Sequence, residues 1–338
     1  MRRTTFTSLV ALVVALAFTG AALASYGNGG VTPQSSDSPN ASGITDSYYL
    51  IAGFTFFIFL LVEGLLLAFI FRFRRRKRPR ELEGPQIHGA FRLEVIWTIF
   101  PVVVLAIIAG FVFYQLPGII DVPDASASGD PVDITVEGHQ FYWLFSYPNG
   151  AISVNTMVAP VDKTVKLKVV SPLKDVNHSW WIPQLGGKID AIPGYTNHTW
   201  FRVHKTGTYS GQCAEYCGTQ HANMEATVRV VSQDEYRRTT SRLLARLNGA
   251  SPQLGKQIFV GVCEKCHRLS GPVLIGPTLG GNPILAQRDT LADIVHNGRG
   301  LMPPVGAGWN DKTLSALVAY TKTLTATLGG GGAGGGTG

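Results

Sequence analysis

The chain has 338 residues, of which 45% are hydrophobic and 15% charged, and it carries a formal net charge of +7. This length allows two folded domains of ordinary size, and the high apolar content excludes a disordered or collagen-like chain. The same composition favours a protein attached to a membrane, and the positions of the positive charges must decide whether they serve lipid or nucleic acid.

The N-terminal segment has the layout of a secretory signal peptide. Two arginines precede an apolar stretch from Leu9 to Phe18, and an Ala-Leu-Ala sequence at residues 22–24 supplies a cleavage site. An uncleaved membrane anchor is the alternative. Because the apolar stretch is short and a polar segment follows it, we predict a cleaved signal peptide over residues 1–24.

Two further apolar runs, Leu50–Phe71 and Val95–Leu116, are each long enough to cross a bilayer as a helix. They predict a transmembrane hairpin within residues 45–117, with helices at about 48–71 and 94–116. The hairpin would leave both of its ends on the same side of the membrane.

The segment between the two apolar runs is strongly basic. Residues 72–80 carry seven positive charges and no negative charge, directly after a predicted span. Such a cluster marks the cytoplasmic side of a membrane protein. We therefore expect the run to face membrane lipid, we expect no nucleic-acid partner, and we place the chain from about Pro117 onward outside the cytoplasm.

Beyond the hairpin the pattern changes to short alternating runs rich in Val, Ile, Thr and aromatic residues. These runs extend from Asp130 to Val231 and are separated by turn signals such as Asn149-Gly150 and Pro193-Gly194. The pattern predicts an all-β sandwich or barrel over residues 121–232.

Helical patterns return after the β region. Ser232 and Glu235 form a capping box that opens a predicted linker helix over residues 233–249. Residues 250–328 contain further helices with apolar positions at helical spacing. The glycine-rich residues 329–338 have nothing to bury, so we predict that they are disordered.

The sequence Cys-Glu-Lys-Cys-His at residues 263–267 is the covalent attachment pattern of a c-type haem. Cys263 and Cys266 would bind the porphyrin edge and His267 would ligate the iron. A zinc knuckle would need a second pair of ligands nearby in the sequence. We predict Met302 as the sixth ligand, because it lies in a rigid Leu-Met-Pro-Pro segment; His296 is the alternative ligand, and a plain core methionine is the structural alternative.

Residues 250–328 resemble a small class I cytochrome c domain. The resemblance rests on the attachment motif, on Gly255–Phe259, on Gly276–Leu279 and on Met302-Pro303-Pro304, with Tyr320 in a final helix. It implies an all-α fold in which Pro277 packs beside the haem and steadies the imidazole of His267.

A second cluster of metal-binding residue types lies in the β region. Its members are His178, Cys213, Cys217, His221 and Met224. Two thiolates, two imidazoles and a thioether are ligands that copper selects. A mononuclear blue-copper site uses one cysteine, so the second thiolate favours two sulfurs that bridge two copper ions and share one electron between them.

Three other interpretations of this cluster remain. A disulfide would leave His221 and Met224 unexplained, and a zinc site would leave Met224 unexplained. A thiol pair that delivers copper to another protein stays open as the serious competitor.

The chain from about Thr45 to Val231 resembles subunit II of the haem-copper cytochrome c oxidases. The matching motifs are Val176–Trp180, Lys188–Gly194 and Gly211–Met224. The resemblance implies a cupredoxin-like Greek-key domain with a dinuclear copper centre, CuA, held by the five side chains of the cluster and the backbone carbonyl of Glu215. It further implies that the Glu215 carboxylate reaches a magnesium ion shared with the catalytic subunit.

With the fused cytochrome, the chain resembles subunit II of a caa-type oxidase, a multidomain membrane protein. The resemblance implies an oxidoreductase subunit that passes electrons from a tethered haem c to CuA and on to haem in the catalytic subunit, which reduces oxygen to water and pumps protons. The implied partners are catalytic subunit I, subunit III and an upstream cytochrome or cytochrome bc-type complex. The implied location is the bacterial cytoplasmic membrane, with the copper and haem domains on the extracytoplasmic side.

Two alternatives to this function are a quinol oxidase subunit II and a membrane-anchored copper-delivery or thiol-redox protein. The quinol enzyme is disfavoured because it would lack the copper ligands, all of which are present in the sequence. We see no oxygen-reducing site in the sequence of this chain, so we expect oxygen reduction only in a complex.

Two residues need separate comment. Glu94 lies in a segment that resembles the one whose acid opens a proton-uptake route in the family, although a solvated acid at a helix end explains it equally well. Phe141 stands where the family usually has a tryptophan that accepts electrons from soluble cytochrome c. We therefore hypothesise that the tethered haem reaches the copper by a different or adjusted path.

The charges of the two extracytoplasmic regions have opposite signs. Residues 121–232 carry a net charge of −2 and residues 233–338 a net charge of +5. Opposite charges would favour docking of one region on the other, weakly and in a salt-dependent way.

Overall fold

The structure is a computed structural model that describes residues 32–74, 86, 88–123 and 129–329. The predicted signal peptide, residues 75–80 of the basic run and residues 330–338 of the glycine-rich tail lie outside the described residues. The chain forms two compact units: one contains residues 42–119, and the other contains residues 34–41 together with the chain from residue 120 onward.

Two long apolar helices make up the first unit. Helix α1 spans Pro39–Phe73 and helix α2 spans Phe91–Ile120, and each is long and apolar enough to cross a membrane. Large apolar side chains are exposed along both helices, as expected for surfaces that meet lipid. The two predicted apolar helices are confirmed, and both extend beyond their predicted bounds.

The β region is a sandwich of two five-stranded sheets. Its strands are β1 (Val132–His139), β2 (Tyr142–Ser146), β3 (Ile152–Val154), β4 (Thr156–Pro160), β5 (Thr164–Val170), β6 (His178–Trp181), β7 (Ile189–Ala191), β8 (Asn197–Arg202), β9 (Gly207–Cys213) and β10 (Glu225–Val231). The first sheet has the order β3-β2-β1-β5-β8 and the second has the order β4-β10-β9-β6-β7. The β1–β5 and β10–β4 pairs are parallel and the other neighbours are antiparallel, so the predicted all-β cupredoxin-like fold is confirmed.

Alternating side chains explain why these segments form a sandwich. In β5, Val165, Leu167 and Val169 are buried, whereas Lys166 and Lys168 point away from the core. Because successive side chains of a strand point to opposite faces, one face of β5 enters the space between the sheets and the other stays polar.

Up to residue 329, where the described part of the chain ends, four α-helices follow the sandwich: α3 (Gln233–Asn248), α4 (Pro252–Val262), α5 (Arg288–Asn297) and α6 (Asp311–Gly329). The hydroxyl of Ser232 accepts a hydrogen bond from Glu235 N, 3.2 Å long, and caps the start of α3 as predicted. Helices α4 and α6 cross at Gly255, where an added Cβ would lie 2.0 Å from the carbonyl oxygen of Ala316. Only glycine allows this close crossing.

The helical region packs directly on the sandwich and shares a hydrophobic core with it. Tyr142 packs within the same cluster of buried side chains as Phe259 and Trp309. Its hydroxyl accepts a hydrogen bond from Trp309 Nε1 (2.8 Å) and donates one to Val305 O (2.6 Å). The side chain of Tyr142 thus belongs to both regions.

A second polar contact joins the two regions at Asn155. Its Nδ2 donates to the carbonyl oxygen of Gly261 over 3.0 Å. Among the described residues, no ion pair joins the sandwich strands to residues 250–329. The two regions therefore dock, as the opposite net charges predicted, but apolar burial and uncharged hydrogen bonds form most of the joint, and salt does not screen these as it screens ion pairs.

Candidate metal and haem sites

The predicted copper ligands lie together at one end of the second sheet. Cys213 is the last residue of β9, His178 is the first residue of β6, and Met224 directly precedes β10. A backbone hydrogen bond from Cys213 N to Met224 O, 2.9 Å long, closes the loop between β9 and β10. This loop also carries Cys217 and His221, so one hairpin presents four of the five predicted side chains.

The first half of the cluster is centred on Cys213. Its Sγ lies 3.9 Å from Nδ1 of His178 and 3.2 Å from the backbone oxygen of Glu215. The ligand atoms of His178, Cys213 and Cys217 all lie within 4.8 Å of one another. These atoms are close enough for one metal centre to contact all of them.

The second half of the cluster is centred on Cys217. Its Sγ lies 3.5 Å from Nδ1 of His221 and 3.7 Å from Sδ of Met224. Each thiol therefore has its own imidazole and one further donor. This pairing is what two metal ions bridged by two sulfurs would require.

Hydrogen bonding gives the two thiols opposite acidities. The Cys217 thiol donates to the Cys213 sulfur and lowers the pKa of Cys213 far below its ordinary value, with help from His178 and two backbone contacts. The same hydrogen bond, together with burial, raises the pKa of Cys217. Because metals bind thiolates, the lowered pKa of Cys213 favours metal binding at this sulfur, and binding at Cys217 would have to release its proton.

A buried carboxylate orients the first histidine. Nε2 of His178 lies 3.1 Å from Oδ1 of Asp175, which leaves Nδ1 facing the sulfur of Cys213. Burial lowers the pKa of His178, but the interactions with Asp175 and Cys213 outweigh burial and raise it. His139 lies on the other side of Asp175, fully buried, with Nε2 2.9 Å from a carboxylate oxygen of Glu137, which agrees with a structural role.

The cluster fits copper in both chemistry and burial. Cys213, Cys217 and Met224 are 2%, 3% and 0% exposed, so strands and loops hold the soft donors rigidly and away from water. All four cysteines of the chain are free, so the disulfide interpretation finds no support here. A zinc site would leave the thioether of Met224 without a role.

The haem attachment motif lines a cavity of about 630 Å³ in the helical region. Cys263, Cys266, His267 and Met302 lie on its wall, and much of the remaining surface is apolar, including Phe259, Val262, Leu279, Leu285, Ile294 and Val295. A large apolar cavity with two thiols and two axial donors fits a covalently attached haem.

A backbone carbonyl group orients the imidazole of His267. Its Nδ1 lies 2.8 Å from the carbonyl oxygen of Pro277, so Nε2 remains available for a metal. An added Cβ at Gly276 would lie 2.3 Å from the imidazole ring, so the glycine permits this close packing. The contact agrees with the steadying role that the cytochrome resemblance implies for Pro277.

The two candidates for the sixth ligand differ in position. Met302 lines the cavity, and its backbone N and O both pair with Arg299, at 3.1 and 3.0 Å, in a tight turn. His296 lies in α5, outside the described lining of the cavity. This geometry favours Met302 over His296.

The haem cavity and the copper loop share a wall. Gln140, Phe141, Gly218 and Thr219 line the cavity from the sandwich side, and Gln140 Nε2 donates to the carbonyl oxygen of Cys217 over 2.6 Å. Phe141 is 5% exposed, and its ring lies 3.1 Å from the position of an added Cβ at Gly218. The sequence analysis singled out Phe141 but not Gln140, Gly218 or Thr219. Their only signal in the sequence is that they lie next to Phe141 or close after Cys217.

Glu94 lies in the other compact unit, in the first turn of α2. Its Oε1 accepts a hydrogen bond from Ala90 N over 3.1 Å, and its side chain is exposed. This contact satisfies a free N–H group at the start of the helix. The structure thus gives Glu94 a capping contact, and its role in proton uptake stays a prediction.

Three family models match the chain. Residues 27–115 match "Cytochrome C oxidase subunit II, transmembrane domain", and residues 152–231 match "Cytochrome C oxidase subunit II, periplasmic domain". Residues 250–320 match "Cytochrome C oxidase, cbb3-type, subunit III". The three matches follow the order of the membrane helices, the sandwich and the helical region.

Relatives match along most of the chain. Cytochrome c oxidase subunit 2 of Alkalihalophilus pseudofirmus is 30% identical over 316 residues, which cover 85% of this chain and 88% of that protein. Cytochrome c oxidase subunit 2 of Cereibacter sphaeroides is 34% identical over 251 residues, covering 62% of this chain and 78% of that protein. The periplasmic domain of subunit II of cytochrome oxidase from Bradyrhizobium japonicum is 34% identical, with a TM-score of 0.34, covering 37% of this chain and 98% of that one.

Proposed function

Because the chain belongs to the cytochrome c oxidase subunit II family, we propose that it relays electrons from its own covalent haem c to a dinuclear copper centre and on to haem in the catalytic subunit. It is the electron-accepting subunit of a haem-copper oxidase, an oxidoreductase complex. The fusion of the cytochrome to subunit II makes the parent enzyme a caa-type oxidase in this proposal.

The observation that carries the proposal is the shared wall between the two sites. Phe141 and Gln140 line the haem cavity, and Gln140 also donates a hydrogen bond to the backbone of Cys217. Both sites lie in one compact unit joined by a common hydrophobic core. An electron can therefore pass between them without diffusion of a separate carrier.

The cofactors follow from the donor sets. His178, Cys213, Cys217, His221, Met224 and the carbonyl of Glu215 would hold the copper pair, and Cys263, Cys266, His267 and Met302 would hold the haem. When bound, these groups would supply one-electron chemistry, since each can accept and release a single electron. The exposed side chain of Glu215 is free to reach a magnesium ion shared with the catalytic subunit.

The protein's own groups prepare this transfer. Asp175 fixes the tautomer and ring orientation of His178, and Pro277 does the same for His267. Burial of Cys213, Cys217 and Met224 keeps water from the donor atoms, so few groups need to reorganise when charge moves.

The two apolar helices and the family match support a membrane protein with periplasmic domains. We propose that the chain crosses the bacterial cytoplasmic membrane twice and binds catalytic subunit I and subunit III. The electron donor would be a cytochrome or a cytochrome bc-type complex on the periplasmic side. From this chain the electron would pass to haem in the catalytic subunit.

Metal analysis with electron paramagnetic resonance on the full-length chain in detergent tests this proposal. We expect two tightly held copper ions that share one unpaired electron, together with one covalent haem. The Cys217→Ser variant is the matched control and should lose the shared-electron spectrum but keep its haem. A single exchangeable copper ion would instead identify a copper-delivery protein, and a chain without copper would fit a quinol oxidase subunit.

A further inference from the structure

The haem attachment motif makes a direct hydrogen bond to the copper-ligand loop. Lys265 lies between the two cysteines of the motif, and its Nζ donates to the backbone carbonyl oxygen of Asn223. Asn223 ends the short 3₁₀ turn that begins at His221, and Met224 follows it. One lysine therefore spans from the residues that would hold haem to the turn that lies between two predicted copper ligands.

The position of this contact differs from that of the main joint. The core around Tyr142 and Trp309 fixes how the helical region sits on the sandwich, whereas Lys265 acts at the edge where the two sites face each other. The Lys265 side chain is half-buried, and the carboxylate of Glu225 is near enough to attract it. A long stem with a compact charged head can cross such an edge and still keep its charge partly in water.

The turn that Lys265 contacts is small. Asn223 N donates to Gln220 O (2.9 Å) and Met224 N donates to His221 O (3.1 Å), and both bonds lie within the same loop. Neither of these bonds reaches the helical region, so Lys265 adds a contact to the turn from outside the loop, and such a contact raises the free energy needed to open the turn locally.

We propose that Lys265 is a positioning residue that ties the haem attachment motif to the copper-ligand loop and fixes the separation between the two redox sites. The inference rests on the proposed function and adds to it a residue that ligates neither cofactor. Reaction rates between held groups depend steeply on their placement, so a restraint at this edge acts on electron transfer although Lys265 does no chemistry.

Hydrogen exchange on the full-length, cofactor-loaded chain tests the restraint. In Lys265→Met, which keeps the apolar stem and removes the charged donor, the amides of Asn223 and Met224 should exchange about tenfold faster than in the native chain. Haem-to-copper electron transfer after photoreduction of the haem should be slower in the same variant. Lys265→Arg should retain native exchange and rate, and so should the matched control Lys256→Met on the exposed face of α4.

Unchanged exchange at these two amides in Lys265→Met would overturn the inference, as would a native transfer rate. If Lys265→Met attaches haem poorly, Lys265→Gln, whose shorter side chain falls short of the Asn223 carbonyl, tests the same contact. Failure of the proposed function looks different, because the native chain itself would then lack the copper pair or the haem. If the native chain holds both cofactors but hydrogen exchange in the loop does not change in Lys265→Met, only the inference about Lys265 is contradicted.

Discussion

The copper site and the haem site lie side by side, but the protein builds them in different ways. At the copper site, donor atoms from β6 and from the β9–β10 hairpin already lie 3.2 to 3.9 Å apart. At the haem site, the donors line a cavity of about 630 Å³. A sandwich of strands can position a small metal site with its own core intact, whereas short helices arranged around a large cofactor use that cofactor as part of their core.

The strongest test of this difference removes the haem. The double variant Cys263→Ser/Cys266→Ser should leave residues 250–328 largely unfolded, because the apolar walls of the cavity would lose the group that fills the space between them. Circular dichroism should show the loss of helix, while hydrogen exchange in β5 and β10 should stay slow. Intact helices in the variant would mean that the cavity walls can collapse without the haem.

The shared core is tested next by Trp309→Ala. Removing this buried side chain should lower the free energy of unfolding by about 3–5 kcal/mol, since it empties part of the core and leaves the Tyr142 hydroxyl without its donor. Scanning calorimetry should then resolve separate transitions for the helical region and the sandwich. A single transition at the native temperature would show that the joint depends on other contacts.

Phe141→Trp tests the wall between the two sites. The ring of Phe141 already abuts Gly218, so the larger indole should strain the wall and lower the free energy of unfolding by about 1–3 kcal/mol. Because the side chain is buried, the variant should oxidise added soluble cytochrome c no faster than the native chain. A faster rate would show that a donor can reach this position directly, and Phe141→Leu serves as the control for loss of the aromatic ring.

The smallest expected effect on stability is that of Cys217→Ser. This change should abolish binding of the copper pair and yet lower the free energy of unfolding of the sandwich by only about 1 kcal/mol, the cost of burying a hydroxyl with incomplete hydrogen bonding. Chemical denaturation of the copper-free native chain and of the variant measures this difference. If the sandwich instead unfolds in Cys217→Ser, the copper site would resemble the haem site, because both would then need their cofactor in order to fold.

The sequence predicted those features that depend on residues near one another in the chain. The strands followed from side-chain alternation such as that in β5, the capped start of α3 followed from Ser232, and the haem motif and copper loop followed from ligand spacing. The joint between sandwich and helices was not predictable in this way. Tyr142 and Trp309 are 167 residues apart, and neither carries a local signal of its partner.

Charge gave the correct expectation of docking but the wrong physical cause. The regional charges of opposite sign are real, but the contacts that form are apolar or uncharged, apart from the one made by Lys265. Lys265 itself occupies a position where the haem motif accepts any residue, so the motif gave no reason to single it out. Its role depends on the neighbouring loop, which only the folded chain brings to it.

The contacts of Asn155 have a consequence for how such fused proteins can be recombined. Its side chain accepts from Trp143 N (2.9 Å) and donates to Gly261 O, while its own backbone pairs with Trp143 in one sheet and Thr227 in the other. A cytochrome grafted from another protein would have to offer a carbonyl group at the same place or leave that amide without its partner. A chimeric gene joined within residues 233–249 should therefore yield a protein less stable by about 1 kcal/mol when its cytochrome leaves the Asn155 amide without this acceptor.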